Sequence, residues 1–169
     1  SKSEAIALQN QLNKIRKSSV SIIQADLLDS SSYALIINES IKIYGQLNFL
    51  INNASTYYPT KIDNINEINW NELIGSNLKA SLFLSKEASP FLKKTNGSII
   101  NITDAHITNP KKNYIIYSIA KSGLTTLTKS LAQELGPEIR VNAVAPGPVL
   151  WPEKSNEFNE KYQKKVISQ

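Results

Sequence analysis

Residues 47–55 read LNFLINNAS, an apolar run that closes on two asparagines, an alanine and a serine. A nearly continuous apolar run lacks the alternation of a sheet with one wet face, and predicts a strand covered by helices on both faces. Its polar end is equally informative, because ligands of open α/β sheets bind just beyond the carboxyl ends of the strands. The same pattern recurs outward along the chain. SVSIIQADL (19–27) ends at Asp26 and Leu27, SIINITD (98–104) at Thr103 and Asp104, and RVNAVAPGP (140–148) at Pro146, Gly147 and Pro148. Between these runs lie stretches with helical spacing: 3–17, 30–44 closed by Gly45, 67–94 with an irregular entry, and 113–135 closed by Gly136-Pro137. The order α-β-α-β-α-β-α-β predicts an α/β layered fold with a parallel sheet, its strand ends lining one crevice.

Composition narrows the chemistry. The chain has 169 residues, 41% apolar and 20% charged, which suits one domain with a real core over 1–169. With no cysteine it has no disulfide, thiolate nucleophile or Cys-zinc site. No apolar run is long enough to span a membrane, and the first residues, SKSEAIALQN, lack a signal-peptide core, so a cytoplasmic protein is expected. The net charge is +5, but the lysines are scattered, with pairs only at 93–94, 111–112 and 164–165. That pattern reads as a surface attracting an anionic metabolite or cofactor, with no nucleic-acid partner. The charged stretch 153–169 is loosely patterned, as a loop or helix.

Tyr117 and Lys121 stand four apart on the last long helix and share a face. A free phenol titrates near 10 and is a poor catalyst at neutral pH, whereas a nearby ammonium lowers its pKa and lets it exchange a proton with a substrate. Asp104 lies thirteen residues earlier, at a strand end. Each candidate has a plainer reading: Asp104 as a turn residue, Tyr57 and Tyr58 as a packed loop pair, Asn77 as a surface helix residue. Trp70 suits core or interface, and Trp151 either covers the pocket or does not. His106, the single histidine, is set aside, because it sits in a loop beyond the acid without a second metal ligand or a Ser/Cys partner.

Together these residues resemble the short-chain dehydrogenase/reductase family: Asn52-Asn53-Ala54-Ser55 after a strand, Asn77 in the next helix, Tyr117-x-x-x-Lys121, and Pro146-Gly147 after the following strand. That family usually carries serine where Asp104 stands. An acid there suits a ring bearing N–H and amino groups. With the loop Asn52-Asn53-Ala54-Ser55-Thr56-Tyr57-Tyr58-Pro59-Thr60, it resembles the pteridine reductases. Similar stretches are GSNLKASLFLS (75–85), SIINITDAH (98–106), residues 117–148 and LWPE (150–153).

The resemblance implies a doubly wound, Rossmann-type, three-layer α/β/α sheet and NADPH as cofactor. The implied substrate is a pterin or dihydrofolate, with Tyr117 donating a proton to a ring nitrogen and Asp104 positioning or relaying it. Lys121 would bind the nicotinamide ribose and depress the Tyr117 pKa, and Asn77 would hold a helix carbonyl and a water. Asn53, Ala54, Ser55 and Thr103 would border the cofactor, Asp26 and Leu27 its adenine, and Pro146, Gly147 and Pro148 its nicotinamide end. Ser55 would also reach substrate, and Tyr57 would stack on the pterin. Most of the catalytic gain would come from holding the hydride donor against the ring. The helices at 75–94 and 113–135 resemble the family's tetramer surfaces, which implies a homotetramer.

The family's glycine-rich phosphate turn, its first two strands and its last strand do not occur in this sequence. In the doubly wound order the two missing strands lie between 19–25 and 47–52, so those segments are expected not to be hydrogen-bonded neighbours. Ser1 and Lys2 fall where the loop that meets a 2′-phosphate would end. Two other readings compete: a carbonyl reductase, for instance of 3-oxoacyl thioesters, and a catalytically silent binding module of the same fold. Asp104 speaks against the first, and Asn77, Tyr117 and Lys121 together against the second.

Overall fold

A computed structural model describes residues 2–147 of the chain. In chain order it holds helices α1 (Lys2–Ile15) and α2 (Ser31–Tyr44), strand β1 (Phe49–Asn52), helix α3 (Glu67–Ile74), a π-helical turn (Gly75–Lys79) and helix α4 (Ala80–Lys94). Strand β2 (Ser98–Ile102), helix α5 (Ile115–Leu135) and strand β3 (Arg140–Val144) follow. Short 3-10 turns occupy Ile62–Asn64 and Ala105–Thr108. Pro148, Trp151, the stretch at 150–153 and the tail at 153–169 lie outside the described residues.

The strands form a parallel three-stranded sheet in the order β1-β2-β3. Its register sets Leu50, Ile99 and Val141 side by side, and the strand period of two puts that row on one face. Ile99 and Val141 enter a core with Tyr33 and Ile37 of α2 and Ala80, Leu84, Ala88 and Leu92 of α4, against which Leu131 and Leu135 of α5 pack. Helices of the described residues therefore cover this face. On the other face Phe49 is 62% and Ile51 58% exposed, so the cover on both faces expected from the apolar runs is seen on one.

The run at 19–25 forms no strand. Its backbone is bonded by α1 side chains instead: Asn13 accepts the Val20 N–H and donates to the Val20 carbonyl, each at 3.0 Å, and Gln9 donates there at 3.2 Å. β-branched composition makes a strand only beside a neighbouring strand, and no described strand borders this segment. No ladder joins it to β1 among the described residues, in keeping with the expected separation.

The helical stretch 67–94 resolves its irregular entry as α3, the π-helical turn and α4. Asn66 caps α3 by accepting the Asn69 N–H at 3.0 Å. Gly75 opens the π-helical turn beneath the 27–29 segment, where an added Cβ would stand 2.6 Å from Leu28 Cδ2. Gly45 closes α2 at φ 76°, its N–H reaching the Ile41 carbonyl at 2.7 Å. No described helix is long and apolar enough to cross a membrane.

A polar chain runs through the interior. Asn52 Nδ2 donates to Asn101 Oδ1 at 2.8 Å, Asn101 Nδ2 donates to Thr128 Oγ1 at 2.9 Å, and that hydroxyl donates to the Leu124 carbonyl at 2.8 Å. Asn101 is fully buried, so truncating it leaves the buried Asn52 amide short of its best acceptor. Asn101→Ala is expected to cost about 2 kcal/mol, read as a lower urea midpoint at unchanged slope.

Candidate active site

Past the carboxyl end of β1, the loop at 53–60 is fastened to the start of α5. Thr60 forms a parallel bridge with Tyr114, and its N–H reaches the Asn113 carbonyl at 2.6 Å. This brings Tyr57 onto Tyr114, with ring centroids 4.6 Å apart and planes 19° apart, and sets it edge-on to Tyr117 at 4.8 Å. Tyr114 precedes Tyr117 by one helical turn, a spacing that could have marked it in the sequence. Tyr58 turns the other way and donates to Glu72 at 3.0 Å, as a structural loop residue.

Past the end of β2, Asp104 caps the turn at Ala105–Thr108. Its Oδ2 accepts the Tyr117 hydroxyl at 2.7 Å. Its Oδ1 accepts the His106 N–H at 2.7 Å and lies 3.1 Å from His106 Nδ1. The histidine set aside in the sequence is therefore a direct partner of the acid, and an aspartate bonding its own backbone two residues on is the local signal that could have found it. Lys121 is 3% exposed. Its ammonium donates to the Ile102 carbonyl at 2.8 Å and sits 5.8 Å from the Tyr117 ring centre.

The electrostatics reverse one expectation. The Tyr117 phenol is not lowered by Lys121 but pushed far above its ordinary value, first by burial, then by the hydrogen bond and charge of Asp104. The ammonium lies over the ring, whereas the carboxylate touches the hydroxyl. Burial alone would raise the Asp104 carboxyl, but bonds from the His106 N–H, the Tyr117 hydroxyl and the His106 ring outweigh it and hold the group below its usual value. Burial lowers the Lys121 ammonium, against a smaller upward pull from Asp104. Tyr117 thus stays protonated throughout the neutral range beside an ionised Asp104.

Asn77 is 1% exposed, within the π-helical turn. It donates to the Leu73 carbonyl at 2.9 Å and the Thr56 carbonyl at 3.0 Å, and accepts from Ser55 Oγ at 2.5 Å. Such π-helical turns often mark functional positions, and this one ties the loop after β1 to the helix layer. Thr103 is fastened across to β3, its N–H and hydroxyl both reaching the Val144 carbonyl, at 2.8 Å and 3.1 Å. A cavity of about 150 Å³ brings Leu27 together with Asn53, Ala54 and Ser76 at the β1 edge. Asp26 is exposed, and its carboxylate accepts the Leu28 N–H at 2.9 Å. Pro146 is half-buried and Gly147 exposed just past β3.

The donor set fits the ribose-nicotinamide end of a dinucleotide. An ammonium has three N–H donors, and Lys121 uses one on Ile102, beside Tyr117 and beyond the strand ends. No group of His, Asp and Glu among the described residues is arranged to hold a metal.

A family model described as short chain dehydrogenase matches residues 1–163. A probable galactose dehydrogenase of Rhizobium meliloti is 33% identical over 130 residues, covering 76% of this chain and 51% of the relative. The trans-4-hydroxycyclohexanecarboxylate dehydrogenase of Sinomonas cyclohexanicum is 34% identical, covering 77% and 51%. An uncharacterized oxidoreductase of Staphylococcus aureus is 29% identical, covering 84% and 62%. The chain thus spans about half the length of the first two relatives.

In an alkaline titration followed by tyrosinate absorbance, the highest-titrating phenol should vanish in Tyr117→Phe. In Asp104→Asn it should move to lower pH, because burial remains while the carboxylate charge is gone. An unmoved phenol in Asp104→Asn would show that the carboxylate does not act on it.

Proposed function

This chain belongs to the short-chain dehydrogenase family, and on that premise we propose that it is part of an NADPH-dependent reductase of pterins, dihydrofolate included. The observation that carries the reading is the 2.7 Å hydrogen bond from Tyr117 to Asp104, where the family usually has serine. A serine hydroxyl polarises a carbonyl or alcohol oxygen. A carboxylate instead accepts N–H bonds from an amino group or a protonated ring nitrogen. Tyr57, 54% exposed and edge-on to Tyr117, offers an aromatic face for a flat ring.

Reduction needs a proton donor beside the atom that becomes basic as hydride arrives, and the Tyr117 hydroxyl, bonded to Asp104 past the strand ends, is placed to serve as one. NADPH, when bound, supplies the hydride. The protein's part is to hold the ring: Lys121 for the ribose hydroxyls, Asn77 and Ser55 fixing the loop wall, Tyr57 against the substrate face, and Asp104 orienting substrate and phenol.

A carbonyl or alcohol substrate is the second reading, favoured by the names of the galactose and hydroxycyclohexanecarboxylate dehydrogenases. We further infer a cytoplasmic homotetramer joined through α4 and α5, whose exposed Leu82, Ile115 and Ile119 offer apolar contact surface; light scattering checks the assembly.

The decisive measurement is nucleotide oxidation by the full-length protein, with NADPH and with NADH, on biopterin, dihydrobiopterin, dihydrofolate and a carbonyl panel. Turnover of the pterins with NADPH is expected. Tyr117→Phe should lower kcat by roughly 10²–10⁴-fold, and Asp104→Ser should lose pterin turnover. Turnover of carbonyls alone, by both wild type and Asp104→Ser, would overturn the pterin reading.

A further inference from the structure

We propose that His106 is the solvent-facing end of a proton relay, His106–Asp104–Tyr117, that returns to the phenol the proton it gives up in each turnover. The inference rests on the reductase reading above. Three observations carry it. Asp104 uses its two oxygens separately, Oδ2 for the Tyr117 hydroxyl at 2.7 Å and Oδ1 for His106. The His106 ring bond exceeds what capping requires, since the backbone N–H of the same residue already satisfies the cap. The His106 side chain is 64% exposed, whereas that of Asp104 is 21% exposed and residue Lys121 is 3% exposed. Of the charged and titratable groups bonded to Asp104 or acting on it, namely His106 on its own turn and Tyr117 and Lys121 from α5, only His106 stands open to water.

The hydrogen positions follow from the partners. A carboxylate accepts but does not donate, so His106 Nδ1 carries the hydrogen of their bond and Nε2 is left to exchange with solvent. The chemistry balances. Tyr117 O–H breaks as its proton passes to the substrate, leaving a phenolate. His106 takes a proton from water at Nε2 and releases the one at Nδ1 to Asp104 Oδ1. The carboxylic acid turns about Cβ–Cγ and hands that proton to the phenolate oxygen. Asp104 ends as the carboxylate, while His106 is left with its hydrogen on Nε2 and regains the Nδ1–H form by exchange with solvent, losing one proton at Nε2 and taking one at Nδ1, so the net change is one proton from water to Tyr117.

The test uses the full-length protein and compares wild type with His106→Ala and His106→Gln. Both variants are expected to lower kcat roughly tenfold at unchanged KM, less than the 10²–10⁴ of the donor itself. Glutamine can still donate a hydrogen bond to Asp104 but cannot pass a proton through its side chain, so a merely positioning role would be rescued by it. Free imidazole in the buffer should restore His106→Ala in part and leave wild type unchanged. Independently of activity, nitrogen NMR of the imidazole that disappears in His106→Gln should place its hydrogen on Nδ1 in wild type and move it toward Nε2 in Asp104→Ala, because its acceptor is gone. Wild-type kcat in His106→Gln, absence of imidazole rescue, or a tautomer unchanged in Asp104→Ala would each overturn the relay. Failure of the functional reading shows itself differently, as a wild-type protein that reduces none of the substrates. The NMR tautomer assignment then decides alone, and a ring without its hydrogen on Nδ1 in wild type rejects the pair.

Discussion

The hydrogen-bonded chain Asn52–Asn101–Thr128 fixes where everything functional begins. It crosses from β1 through β2 to α5 inside the core, and buried amides in such a chain tolerate little displacement. Because Asn52 and Asn101 are register partners near the ends of their strands, the loop carrying Tyr57 and the turn carrying Asp104 leave the sheet at one level. Thr128 ties α5 to the same chain, about two turns after Lys121 and three after Tyr117. The floor of the crevice is thus polar and rigid, while its walls are loops.

Much of the fold was legible in the sequence because it depends on periodicity. The runs at 47–55, 98–104 and 140–148 all yield parallel strands, and Gly45 ends its helix at positive φ. The segment at 19–25 misled because β-branched composition describes a surface suited to a strand, not the presence of a neighbour. Its backbone instead met Asn13 and Gln9, polar residues whose reach over a tight turn no periodicity reveals. The cover on one sheet face follows from which helices pack there, and alternation along the chain does not encode that.

The site was legible as a set of residues more than as an electrostatic arrangement. Tyr117, Lys121 and Asp104 lie together, yet the spacing of Tyr117 and Lys121 suggested an ammonium acting on a phenol. Three-dimensional placement put the ammonium over the ring and a carboxylate on the hydroxyl. The sign of the shift depended on which charge touched the oxygen, a matter of ångströms that spacing along a helix leaves open. His106 has neither a second metal ligand nor a Ser/Cys partner in the sequence, and the partner it does have is the carboxylate two residues back.

The bridge between Thr60 and Tyr114 has a consequence for how such a protein can change over time. On the proposed reading, the aromatic face for a substrate rides on this loop, while the phenol that would protonate it stands on α5, a helix anchored by its own buried residues. The junction ties the loop to that helix at Tyr114, and Tyr57 packs on both Tyr114 and Tyr117. The helix is thus the fixed reference, and the loop is seated on it. A new substrate shape is reached more readily by replacing the ring at Tyr57 in place than by reshaping the loop that holds it.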